Sequence, residues 1–344
     1  MGQRTDERLT VIVPAYDEAE TITETVRSLL EQTVAPARVV VIDDCSTDDT
    51  AAIARAAGAE VIRPPANTGS KAGAQMHALE GVETELVMAV DADTTLERDA
   101  VEKLLTALED ERVAAACGFV LPRHVRSVWE RGRYVEYLLA FSFFKRVQDT
   151  FGKPLISSGC FSVYRTAELR AAGGWSNRTM AEDMDLTWTL YRSDHRVRFV
   201  PEAVSYPIEP HNFEFMGKQL RRWSHGFVQN VRLHWRSLLE LGYLRSTVAV
   251  GFWDAIMASV AYLLILPVLA ILLTPWILGA YLVDAPVIMV PVLWQAIGRG
   301  ETRRALASFP SFFVLRLVNG AFMLSALWRE LVVRQPLLVY EKGH

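Results

Sequence analysis

Along the first 120 residues, short apolar runs alternate with longer stretches whose apolar positions recur at helical spacing. Residues 9–14 (LTVIVP), 39–42 (VVVI), 60–62 (EVI) and 86–90 (LVMAV) have the length and β-branched content of strands. Between them, residues 21–32 are periodic, and residues 48–57 open on acidic side chains, as a helix does when carboxylates meet its N-terminal dipole. Strands alternating with helices predict an α/β domain, a mostly parallel sheet with helices on both faces. Ligands of such sheets gather beyond the carboxyl ends of the strands. Asp43 and Asp44 close the second run and Asp91 closes the fourth. Their shared location is the first functional clue.

Beyond residue 118 the pattern loosens. Residues 128–147 are aromatic and amphipathic (Trp129, Tyr134, Tyr137, Phe141, Phe143, Phe144), which fits a lid, an acceptor wall, a membrane-facing surface or an ordinary packed helix. In residues 213–241, Trp223, Phe227, Val231 and Trp235 share one helical face beside several arginines, the pattern of an interfacial helix. Charge then all but disappears: residues 247–298 contain only Asp254 and Asp284. The stretch 256–273 approaches the about 20 residues that cross a bilayer core. The last apolar stretch, 309–333, carries Arg316 and Asn319, so it reads either as a span or as interfacial. Three divisions follow: a catalytic domain over 1–210, interfacial helices over 211–245, and two or three spans within 246–344.

Composition refines this picture at three points. The net charge of −4 gives no support to nucleic-acid binding, and three cysteines (Cys45, Cys117, Cys160) are too few for a disulfide framework or a metal cluster. Arginines 221, 222, 232, 236 and 245, with 299, 303 and 304, flank the apolar stretches and mark a cytoplasmic side. Residues 1–8 are polar, without the apolar core of a signal peptide, so the expected location is a multi-pass cell-membrane protein with its catalytic domain facing the cytoplasm.

Four segments carry candidate chemistry. Asp91-Ala92-Asp93 places two carboxylates at a strand end, where a hard cation such as Mn2+ or Mg2+ could be shared with a phosphate. Their mutual repulsion predicts a site that a cation relieves. Glu182-Asp183 opens an apolar run: either acids favouring a helix dipole, or Asp183 as the base for an incoming hydroxyl. Gln219-Leu220-Arg221-Arg222-Trp223 offers Arg222 as a planar cation for a diphosphate and Trp223 as a flat face for a sugar, or else a basic interfacial helix with an aromatic anchor. Asn67 to Gly73, with Lys71, is a glycine-containing loop whose backbone N–H groups could meet phosphate; it lacks the spacing of a Walker or dinucleotide motif.

Taken in order, these segments resemble family 2 glycosyltransferases of the GT-A fold, and most of all the membrane-embedded synthases of the cellulose, chitin and hyaluronan type. Val11-Ile12-Val13-Pro14-Ala15-Tyr16-Asp17-Glu18 is similar to the family's opening strand, and Val41-Ile42-Asp43-Asp44-Cys45-Ser46-Thr47-Asp48 to its second, with Cys45 where glycine is usual. The resemblance implies that Pro14, Ala15, Tyr16, Glu18, Asp43, Asp44, Lys71, Asp91, Gln219, Arg222 and Trp223 meet a UDP-sugar, and that Asp93 with Asp91 holds the metal. It implies Asp183, beside Glu182 and after Gly173-Gly174-Trp175, as the catalytic base of an inverting transfer. Ser158, Gly159, Cys160 and Trp223 fall on the acceptor side. The implied product is a growing β-linked polysaccharide or glycolipid. Transfer of one sugar to a lipid or protein is the alternative, and a non-catalytic nucleotide-sugar-binding subunit a further one. The expected partners are donor, saccharide or glycolipid acceptor and lipid bilayer; a homo-oligomer is left open.

Overall fold

The apolar runs assemble into one eight-stranded sheet in a computed structural model that describes residues 4–240 and 242–339, excepting the side chains at 250, 252–254 and 258. Leu241 and the side chain of Asp254, which figure in the sequence reading, lie outside the described residues. The chain divides into two compact units, Met1–Arg123 with Gln148–Ile208, and His124–Val147 with Glu209–His344.

The first unit holds the sheet. Its strands are β1 (Arg4–Ala15), β2 (Val34–Asp43), β3 (Glu60–Ile62), β4 (Leu86–Val90), β5 (Thr95–Leu96), β6 (Val113–Val120), β7 (Phe161–Arg165) and β8 (Arg196–Tyr206). They lie in the order β3-β2-β1-β4-β7-β6-β8-β5. β1 pairs in parallel with β2 and β4, β2 with β3, and β6 with β8. β7 runs antiparallel to β4 and β6, and β5 to β8. The sheet is therefore mixed, with its parallel half where the alternation of runs predicts it. From β1 the chain moves outward to β2 and β3, then returns to β4 on the other side. The switch point, where α/β sheets bind ligands, lies between the carboxyl ends of β1 and β4.

Burial explains the run pattern. Val11, Val13, Val41, Met88 and Val90 are buried in one core with Ile22, Val26 and Leu29 of the Ile22–Leu30 helix. Central strands covered on both faces need near-continuous apolar residues. Helices Thr50–Ala56, Lys71–Glu80, Ala100–Ala107 and Glu182–Arg192 complete the layers relevant to the site.

The second unit is helical. Helix Val128–Leu139 begins with a capping box between Ser127 and Glu130. Helix Phe213–Glu240 is amphipathic, and among the described residues three further segments are long and apolar enough to cross a membrane: Ala255–Leu272, Pro275–Gly298 and Thr302–Val333. The polar residues that set the last of these apart have partners. Arg316 Nη1 lies 2.6 Å from Asp284 Oδ2, which also accepts from the Tyr262 hydroxyl at 3.1 Å, so each candidate span contributes to one polar cluster. Asn319 Nδ2 donates to Glu136 Oε1 at 2.9 Å. Pairing of this kind makes charge tolerable among apolar helices.

Candidate active site

At the carboxyl end of β4 the first unit concentrates acidic groups from distant parts of the chain around one ammonium. Lys71 Nζ forms an ion pair with Asp91 Oδ1, donates to the Gly159 carbonyl at 3.0 Å, and lies 3.8 Å from Glu182 Oε1. Lys71 is placed there because Ser70 caps its helix, accepting from the Gly73 N–H at 3.0 Å. The strand end is tied to the turn preceding β7, the Asp91 N–H donating to the Cys160 carbonyl at 3.3 Å. Ser158, Gly159 and Cys160 therefore border Asp91.

Asp183 stands in the first turn of the Glu182–Arg192 helix. Its Oδ2 accepts the Gly159 N–H at 2.9 Å and its Oδ1 the Met184 N–H at 2.8 Å. A methyl group on Gly159 would fall 2.9 Å from Asp183 Oδ2, so the carboxylate sits where only glycine leaves room. The helix start carries three acids; the buried Asp185 is held by Arg178 Nη2 at 2.9 Å from each of its oxygens. Burial of the Asp183 carboxyl, with Glu182 beside it, pushes its pKa up to about 6, against the opposing pull of Lys71 and the two backbone amides. A carboxylate so tuned suits proton abstraction near neutral pH.

Asp93 follows on the same turn. Its Oδ1 accepts from Thr94 Oγ1 at 3.1 Å, and its carbonyl accepts from Arg123 Nη2 at 2.6 Å. Among the described residues no three His, Cys, Asp or Glu side chains are close enough to hold a metal ion alone. Two half-buried carboxylates at one turn, in a site with more acids than its single ammonium neutralises, do fit a hard cation completed by ligand or water oxygens. Lys71 meets Asp91, which tempers the predicted repulsion.

The ends of β1 and β2 lie side by side, Ala15 opposite Asp43, and the Asp44 N–H donates to the Ala15 carbonyl at 2.8 Å. Asp43 and Asp44 are buried. Asp43 Oδ2 pairs with Arg63 Nη1 at 3.1 Å and its Oδ1 accepts the Ser46 N–H at 3.0 Å. Asp44 Oδ1 accepts the Thr68 N–H at 2.8 Å and its Oδ2 the Thr68 hydroxyl at 2.9 Å, fastening the loop that leads to Lys71. Cys45 adopts φ +63°, the left-handed conformation that favours glycine. Tyr16, after Pro14 and Ala15, is exposed, whereas Glu18 is buried and accepts from Thr21 Oγ1 at 2.8 Å.

Gln219, Arg222 and Trp223 belong to helix Phe213–Glu240 of the second unit. Gln219 Oε1 accepts from Arg133 Nη2 at 2.7 Å, and the same guanidinium lies 4.5 Å from the centre of the Trp223 ring. Arg63, Arg123 and Arg133 were invisible to motif reading. Each has a partner far away in sequence: Arg63 meets Asp43, Arg123 the Asp93 carbonyl and Arg133 Gln219.

Comparison with known proteins agrees with this architecture. Residues 10–171 match the model of glycosyl transferase family 2. The poly-beta-1,6-N-acetyl-D-glucosamine synthase of Staphylococcus epidermidis is 26% identical over 225 residues, covering 64% of this chain and 54% of that protein. The glycosyltransferase YaiP of Escherichia coli K12 is 31% identical over 244 residues, 67% of this chain and 59% of that protein. The chain thus spans about half the length of the curated relatives it matches. The mannosyltransferase PcManGT from Pyrobaculum calidifontis, solved with GDP-Man and Mn2+, shares the fold with a TM-score of 0.62 at 19% identity, over 95% of this chain and 88% of that one. With its site at the carboxyl ends of β1 and β4 and its motifs in the family's order, this chain carries a glycosyl transferase family 2 domain over residues 10–171, in the likeness of the processive synthases.

Proposed function

We propose that the chain is a membrane-bound inverting glycosyltransferase that moves a sugar from a UDP-sugar to a β-linked saccharide or glycolipid. The observation that carries this reading is the convergence of Lys71, Asp91, Glu182, Asp183 and Gly159 at one strand end, with Asp183 tuned to about 6. Asp183 takes the proton of the acceptor hydroxyl while that oxygen bonds to the anomeric carbon. The bond from carbon to diphosphate oxygen breaks on the opposite side, and the nucleoside diphosphate leaves with the electron pair. Lys71 sits where it could shift from Asp91 toward the departing diphosphate. Asp93, with Asp91, would hold a divalent cation (Mn2+ or Mg2+), whose chemistry is neutralisation of the leaving group. Asp43 and Asp44 would order the nucleoside pocket through Arg63 and Thr68.

The S. epidermidis relative makes UDP-N-acetylglucosamine the first donor to try, and a β-1,6-linked N-acetylglucosamine oligosaccharide the first acceptor. Purified full-length protein in detergent, given a panel of UDP-sugars and GDP-mannose with Mn2+, should release the nucleoside diphosphate and glycosylate an acceptor. A folded sample inert across the whole panel would sink the proposal. Metal and UDP together should raise the melting temperature more than either alone; equal shifts with and without metal would remove the cation from the scheme. The alternative of a single addition is decided by product size: a ladder of lengths favours polymerisation, one added sugar does not.

A further inference from the structure

The helix carrying Gln219 and Trp223 is gripped by a cation that belongs to no recognised motif. Arg133 is 1% exposed. Its Nη2 donates to Gln219 Oε1 at 2.7 Å and lies 3.2 Å from Met216 Sδ. Its Nη1 pairs with Glu136, and its Nε faces Glu209 at 3.4 Å. The guanidinium carbon stands 4.5 Å from the centre of the Trp223 ring. Glu209 is itself buried and accepts from the Tyr137 hydroxyl at 2.7 Å.

A buried ion network of this kind contributes little net stability, because desolvation offsets most of the Coulombic gain. What a guanidinium supplies is direction: a rigid fork and a flat face. Gln219 and Trp223, four residues apart, lie on one side of their helix, and a single planar group meets both. The fork fixes Gln219 while the flat face lies against the indole. Trp223 nevertheless keeps 36% of its surface exposed, so part of the ring is open while another part is pinned.

We propose that Arg133 is the positioning residue of an acceptor platform, fixing the plane of the Trp223 indole so that a sugar ring of the acceptor can stack on its open surface. This deepens the glycosyltransferase reading and rests on it. Arg133 acts through Trp223 and Gln219 and does not itself touch the sugar.

The test uses the full-length protein in detergent with UDP-N-acetylglucosamine and a β-1,6-linked N-acetylglucosamine pentasaccharide. Three variants are compared: Arg133→Lys, Arg133→Met, and Arg133→Met with Glu209→Gln, the last leaving one fewer unpaired buried carboxylate. Loss of one cation–π contact and its fork should raise the acceptor KM by about tenfold in both methionine variants. Arg133→Lys should fall between these and wild type, since it keeps the charge without the fork. The rise in acceptor KM should exceed by about fivefold any change in donor KM or in the slow hydrolysis of donor without acceptor, since Gln219 and Trp223 are expected to reach the donor as well. An unchanged acceptor KM in a folded variant overturns the proposal. So does a parallel loss of acceptor affinity, donor affinity and hydrolysis, the signature of a merely structural role. The wild-type control separates the two levels: absence of transfer there defeats the glycosyltransferase reading and this one with it, whereas normal transfer with an insensitive acceptor KM defeats Arg133 alone.

Discussion

At the scale of single residues, Asp183 offers the sharpest test. Its carboxyl titrates near 6 in the fold, above the ordinary 3.8, because burial and Glu182 disfavour its charge. A base works only when ionised, so kcat/KM should fall about tenfold per pH unit below 6 and level off above it. The stability consequence has the opposite sense. The fold favours the protonated form, so this contribution is complete below about pH 4 and is lost as the pH rises through 6. Asp183→Asn should therefore melt higher than wild type at pH 8, converge with it near pH 4, and lose about 10²–10⁴ in transfer rate. A variant that melts below wild type at both pH values would contradict the assigned cause of the shift. Gly159→Ala tests the same geometry from the other side. Its methyl group would fall 2.9 Å from Asp183 Oδ2, so the carboxylate must move. We expect kcat to drop by about tenfold or more with little change in melting temperature, since a small misplacement of a reacting group is costly. Short motifs announce Asp91, Asp93 and Asp183 as candidates, and in the fold Asp183 meets the Gly159 N–H while Asp91 meets Lys71, which holds the Gly159 carbonyl. Lys71 was read for the backbone of its loop; that its ammonium bridges Asp91 and the Gly159 carbonyl depends on a contact 88 positions away.

At the scale of elements, what the sequence revealed depended on side-chain chemistry. The runs at 9–14, 39–42, 60–62 and 86–90 all fall within β1 to β4, because parallel central strands need unbroken β-branched residues. β6 escaped notice: its sequence, VAAACGFV, is fully buried but rich in alanine, which carries little strand preference. β8 includes Pro201 and loses register with β6 between Gly118 and Phe119, so its periodicity is broken. The antiparallel placement of β7 is a matter of topology, which no local pattern encodes. In the second unit the aromatic stretch at 128–147 makes one of its close contacts through a glycine, which no apolar pattern marks. A Cβ on Gly132 would lie 2.9 Å from both the Ser311 carbonyl and Leu315 Cβ, so helices Val128–Leu139 and Thr302–Leu327 touch backbone to backbone there. Gly132→Ala adds helix propensity in isolation, yet should destabilise the protein by about 1–3 kcal/mol through overpacking. Thermal melting in detergent checks the sign. A gain in stability would mean that the two helices are not in close contact.

At the scale of the whole molecule, the strongest sequence signal was the change of solvent along the chain. Charged residues are ordinary up to about residue 245 and nearly absent from 247 to 298. The apolar segments then leave large side chains uncovered: Ile271 is 84% exposed, Trp276 90% and Trp294 80%. Each such side chain costs about 1.5–3 kcal/mol in water relative to an apolar surrounding, far more in sum than a domain's net stability can carry. Lipid removes that cost, provided the polar groups within the same segments are satisfied among themselves. The Arg316–Asp284–Tyr262 cluster pairs one contributor from each candidate span through Asp284 Oδ2, while Asp284 Oδ1 stays without a hydrogen-bond partner. Two modes of attachment fit an apolar carboxyl-terminal region, and they respond differently to extraction. An interfacial helix held by charge and a shallow apolar face is released by high salt or alkaline carbonate, whereas spanning helices stay until detergent dissolves the bilayer. Expressed in cells, the full-length chain should remain in the membrane pellet through both washes and enter solution only with detergent. Recovery of the intact protein in the carbonate supernatant would mean that the three segments lie on the membrane and do not cross it. The polar cluster would then have to be explained as surface packing.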